Sequence, residues 1–184
     1  MRLRAPLFSA LFVVVSGFAP QAVAWQAKLL AADTPCRTVK GNTFIAPAGW
    51  TLTVVGPATL LEPPEGGSAI VLVDVEAADA DAAVAGAWKA YQPDARWPLK
   101  GVTPAPPRDG WNDRKTYSYQ TSPDEQREVF ADVRRTNGLW TVLMFDMARN
   151  VAEKRAAQVN LVFDKLLPPG TVRASPLPVG PPCQ

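Results

Sequence analysis

The feature that most constrains this chain is how the spacing of its apolar residues changes along its length. Thr43–Ala46, Thr51–Val55, Thr59–Glu62 and Ala69–Val75 are rich in β-branched and aliphatic side chains and read as strands. Gly56-Pro57 and Pro63-Pro64-Glu65-Gly66-Gly67 cut these runs as turns. At Asp79 the period lengthens. Val84, Trp88 and Tyr91 fall on one face of a helix that Asp79 caps and Pro93 stops.

The same sequence of events then repeats. From Arg114 the chain is extended again, with Tyr117 and Tyr119 on one face and Ser122-Pro123-Asp124 as a turn. Val129, Ala131 and Val133 alternate with Glu128, Asp132 and Arg134. Asn137-Gly138 is the dipeptide a tight hairpin needs, and Leu139–Phe145, the most hydrophobic run, is expected at the sheet centre. Asn150 and Glu153 resemble a capping box. They open a helix with an apolar stripe through Ala152, Ala156, Val159, Phe163 and Leu166, ended by Pro168-Pro169-Gly170.

The order βββ-α-βββ-α predicts the α+β class: an antiparallel sheet of about six strands with two helices packed on it. One domain of this kind fits a chain of 184 residues. The expected organisation is a leader over 1–24, a lead-in over 25–41, the domain over 42–170 and a proline-rich tail or linker over 171–184.

The leader reads as an export signal. Arg2 and Arg4 precede an apolar run from Leu7 to Phe18, and Ala22-Val23-Ala24 supplies the small-x-small pattern for cleavage after Ala24. The expected location is periplasmic or secreted, with no stable membrane insertion once the leader is removed. Removing Arg2 and Arg4 leaves the basic residues equal in number to the 17 acidic ones, so nucleic-acid binding loses its electrostatic support. In an oxidising compartment Cys36 and Cys183 are a candidate disulfide.

Chemistry is hard to place. The chain has no histidine, which removes the commonest general base. No serine is followed three residues later by lysine, Lys115-Thr116-Tyr117 misses Lys-Thr-Gly, and no Gly-x-Ser-x-Gly or phosphate loop occurs. Catalytic, cofactor-binding and metal-binding residues are therefore assigned to none. Asp79 and Asp81 fit a helix start. Asp146, directly after an apolar run, and Asp109 are the acids a small histidine-free enzyme would use. The stretch from Pro93 to Asp113 shows no period, and its length and its anchor-type side chains make Trp97, Arg108 and Trp111 the candidate binding surface.

Phe44-Ile45-Ala46-Pro47-Ala48-Gly49-Trp50, followed by strands, resembles the opening of PsbP-like α/β/α domains. Leu61–Gly66, Val73–Val84, Ala95–Lys100, Arg108–Trp111, Tyr119–Pro123 and Val151–Val159 together resemble the N-terminal domain of bacterial exported β-lactamase-related serine hydrolases. That resemblance spans roughly residues 42–170 and implies a non-catalytic domain in a binding or supporting role. Its partner would be a serine hydrolase catalytic domain, in cis or in trans. Three readings stay open: such a supporting domain, a stand-alone PsbP-like periplasmic binding module, and a small histidine-free hydrolase.

Overall fold

The computed structural model describes residues 27–171. The leader and most of the tail, with Cys183, lie outside the described residues. One eight-stranded sheet organises the rest. From edge to edge it runs β1 (Lys28–Leu29), β4 (Thr51–Val55), β5 (Ala58–Glu62), β6 (Ala69–Val75), β10 (Leu139–Ala148), β9 (Arg127–Thr136), β8 (Asp113–Tyr119) and β7 (Leu99–Ala105). Every neighbouring pair is antiparallel. A separate two-stranded ribbon joins β2 (Thr34–Arg37) to β3 (Thr43–Ala46).

Helix α1 (Ala80–Tyr91) covers one face of the sheet. The ribbon, α2 (Arg149–Lys154) and α3 (Ala156–Lys165) cover the other. The central strands show why. In β6, Ile70 and Leu72 join the core under α3, while Val71 and Val73 join the core under α1. In β10, Leu143, Phe145 and Met147 face the first core and Val142 and Met144 the second. Strands covered on both faces read as unbroken apolar runs rather than alternating ones. Trp50, Trp111 and Trp140 are among the largest fully buried side chains.

The α+β class, the antiparallel sheet and the central place of Leu139–Phe145 are as the sequence predicts. Asp79 caps α1, accepting from the Ala82 N–H at 2.8 Å. The Asn137-Gly138 turn has both residues at positive φ, 48° and 81°.

Five details differ. The lead-in carries two strands, β1 and β2. The segment after Pro93 contains β7, an edge strand held by backbone pairing to β8 and exposed along most of its length, so no alternating side chains mark it. With these additions the sheet has eight strands, not six. The second helix is broken at Arg155 (φ −102°, ψ 10°), so Val151 and Val162 are buried while Ala156 is exposed. Asn150 is not the cap either: the residue before α2 is Ala148, and Asn150 accepts only from the adjacent Val151 N–H.

Candidate binding site

One end of the sheet gathers several chain segments. There β5 ends, β6 begins, α1 delivers Tyr91, β9 starts at Arg127 and β10 runs into α2. Register places Asp146 between Ala69 of β6 and Val129 of β9. The Asp146 side chain is 5% exposed, so its charge needs a partner. Arg127 supplies one, with Nε 2.7 Å and Nη2 2.6 Å from Asp146 Oδ1. The same Nη2 donates to the Gly67 carbonyl at 2.9 Å, which ties the β5–β6 turn to the pair. The Tyr91 hydroxyl donates to Asp146 Oδ2 at 3.4 Å. Burial, and then the Asp146 charge, push its pKa above the ordinary tyrosine value.

Two clefts open beside this pair and share Arg127 as a wall. The first, about 410 Å³, is lined by Glu62, Ser68, Tyr91, Gln92 and Trp97 together with the ion pair. The second, about 320 Å³, is lined by Lys100, Ser118, Tyr119, Thr121, Glu128 and Arg149, with Val129 and Phe130 as its apolar part. An aromatic cluster braces the first cleft. Trp88 lies 5.6 Å from Trp97, 6.1 Å from Tyr91 and 5.4 Å from Tyr119 between ring centres. The Trp88 indole N–H donates to the Tyr119 hydroxyl at 2.8 Å, and that of Trp97 donates to Glu125 Oε2 at 3.3 Å.

The residues singled out in the sequence are not brought together. Trp97 is half-buried beside the first cleft, before β7. Arg108 and Trp111 follow β7 at its far end, about 20 Å away at the rise of an extended strand. Arg108 is exposed and pairs with Asp109 Oδ2 at 2.8 Å. Trp111 is a correction to the expected surface: at 2% exposure it belongs to the core, where its indole N–H donates to the Leu166 carbonyl at 3.2 Å. It plugs the space between the sheet and the end of α3.

Sequence reasoning singled out Asp146 but missed Arg127 and Tyr91 as its neighbours, and missed Lys100 and Arg149 in the second cleft. The only signal for Arg127 is a cation at the first position of a strand, and register alone shows what it faces. Of the acids a small enzyme would use, Asp146 is held by Arg127 and Asp109 by Arg108. Ser68, in the first cleft, accepts from the Ala148 N–H at 3.1 Å. Among the described residues no cluster of His, Cys, Asp and Glu could hold a metal ion. No helix among them is long and apolar enough to cross a membrane.

No family model and no curated protein sequence matches this chain. Its architecture does match a solved structure. The solution structure of cyanobacterial PsbP (CyanoP) from Synechocystis sp. PCC 6803 superposes with a TM-score of 0.52. The match covers 74% of this chain and 92% of that one, at 16% identity. The fold is PsbP-like. At that identity the likeness speaks for the fold and for nothing finer. The PsbP-like opening at Pro47-Ala48-Gly49-Trp50 sits where the fold puts weight on it: Trp50 is fully buried, and its indole N–H donates to Gln158 Oε1 of α3 at 3.1 Å. Nothing in these comparisons joins the chain to serine hydrolases.

Proposed function

We propose that this chain is an exported, non-catalytic binding module of PsbP-like fold that engages its partner at the cleft end of the sheet. The observation that carries this reading is the pair of clefts sharing Arg127, one of them walled by the half-buried Trp97. Trp and Arg are the side chains most often found as anchors of recognition surfaces. Here they sit on a scaffold made rigid by the Arg127–Asp146 pair. The acids that would otherwise suggest catalysis are engaged in ion pairs, which supports the non-catalytic part. The sequence resemblance nominates a serine hydrolase catalytic domain, in cis or in trans, as the first partner to try.

A photo-crosslinking amino acid at position 97 tests the surface, with position 112, exposed at the other end of β7, as the control. In the compartment to which the chain is exported, position 97 should give a discrete covalent adduct and position 112 none. Adducts from both positions, or from neither, overturn the reading. The non-catalytic part is tested by intact mass after incubation with a fluorophosphonate or a penicillin. No adduct is expected, because no lysine or histidine is placed to activate a serine, and stoichiometric labelling of one serine would refute it.

A further inference from the structure

The second cleft differs from the first in charge. It is lined by Lys100, Arg127 and Arg149 against one acid, Glu128. Arg127 is spent on Asp146. Lys100 and Arg149 are exposed and enter no ion pair among the described residues. Cations gathered round one groove repel each other unless a counter-charge comes between them.

Edge protection accounts for part of this. β7 is an edge strand, and Lys100, Pro104 and the register shift between Leu99 and Gly101 are the usual devices against unwanted strand pairing. That explains Lys100. It does not explain Arg149, which lies off the edge at the junction of β10 and α2.

We propose that the second cleft receives a carboxylate carried on an extended acidic segment of a partner protein, with Lys100 and Arg149 as its counter-charges. This rests on the binding-module reading above and adds the chemistry of the partner. The shape favours a chain segment over a compact small molecule. The second cleft shares Arg127 with the first and is flanked by β7, an edge strand whose Leu99 and Val102 are exposed at 55% and 42%. An acidic side chain would occupy the cationic cleft, and the segment would continue past Arg127 towards Trp97.

The test is an NMR titration of the full chain with a capped peptide of alternating Glu and Val, and with its Gln-for-Glu counterpart. The acidic peptide should move the amide signals of Lys100, Thr121 and Arg149. Its binding should weaken about tenfold in the Lys100→Glu, Arg149→Glu double variant, and weaken again as salt is raised from about 0.05 to about 0.5 M. Both substituted positions are exposed, so the melting temperature of the variant should stay unchanged and serves as the folding check. Equal binding of the Gln peptide, or an unaffected double variant, overturns the proposal. Shifts confined to the Trp97 cleft also overturn it while leaving the binding-module reading intact. If neither peptide shifts any amide at either cleft, and the position 97 crosslink is also absent, both fall. Benzoate that fills the second cleft while the acidic peptide does not enter would place a small organic acid there and refute the protein segment.

Discussion

Asp146 is withdrawn from solvent at the end of β10, and a carboxylate in that position is tolerated because Arg127 reaches it with two nitrogens. The energetic consequence is asymmetric. Removing the cation leaves a buried charge with only a long hydrogen bond from Tyr91, whereas removing both charges leaves two neutral groups. Arg127→Met should therefore destabilise the fold by about 3 kcal/mol in urea unfolding at neutral pH. Adding Asp146→Asn to that variant should recover part of the loss, and a further decrease in stability would show that the pair does not act as a unit. A second buried carboxylate, Asp74, is satisfied without a cation. It accepts from the Lys40 N–H at 2.8 Å, from Asn42 Nδ2 at 2.8 Å and from the Thr141 hydroxyl at 2.9 Å. That network fastens the β2–β3 turn to the central strands, which is a structural task. The Tyr117 hydroxyl likewise donates to Asp81, so the first turn of α1 is tied to β8.

The elements are joined at their ends by contacts whose strength can be tested. Glu65, in the β5–β6 turn, pairs with Arg155 at 2.7 Å and Lys154 at 2.8 Å, at the break between α2 and α3. Arg155 first and Lys154 second pull its pKa from the ordinary 4.5 down to about 2. The folded value lies below the unfolded one, so the stabilisation is full above about pH 4.5 and is lost as the pH falls through about 2. Glu65→Gln should lower the melting temperature at pH 6, and the difference should shrink as the pH falls towards 2; a pH-independent difference would refute the ion pair. At the far end of β7, Gly110 has φ +85°, and a Cβ there would lie 2.8 Å from Pro168 Cγ and from Thr171 Oγ1. Gly110→Ala should cost about 2 kcal/mol in thermal unfolding. Gly138→Ala, at φ +81° in open space, should cost about 1 kcal/mol, and equal costs would show that crowding contributes nothing. These elements were unequally legible in the sequence. The Asp79 cap, the Asn137-Gly138 turn and the two-faced central strands follow from local chemistry and could be read directly. β7 could not, because its order comes from backbone bonds to β8 and its side chains face water. The stripe on the second helix is legible at Ala152, Val159, Phe163 and Leu166, which pack on the core, whereas the break at Arg155 has no local signal and leaves Ala156 exposed. The site was less legible than the fold: Asp146 stood out, but Arg127 meets it across a strand register, and Trp111 has the composition of an anchor while doing the work of a core plug.

At the scale of the whole molecule, the layering leaves the β2–β3 ribbon beside the last described segment. Thr43 of β3 and Leu167 after α3 exchange both backbone hydrogen bonds, at 2.9 and 2.8 Å. Cys36 sits on the same ribbon as Thr43, paired opposite Phe44, is 1% exposed and is not a free thiol. Chain leaving Leu167 therefore starts beside the ribbon that holds Cys36. We propose that Cys183, outside the described residues, forms the bond with it. A cross-link closing so long a loop removes conformational freedom from the unfolded chain, worth up to about 5 kcal/mol in the chain-entropy model. The expected behaviour is specific. Iodoacetamide should add nothing to the unfolded, non-reduced protein and two groups after reduction. Cys183→Ser should lower the melting temperature of the oxidised protein to that of the reduced one, and reductant should then change the variant no further. A Cys183→Ser protein as stable as the oxidised parent would refute the cross-link, and the ribbon would then be joined to α3 by the β3–Leu167 bridge and the shared core.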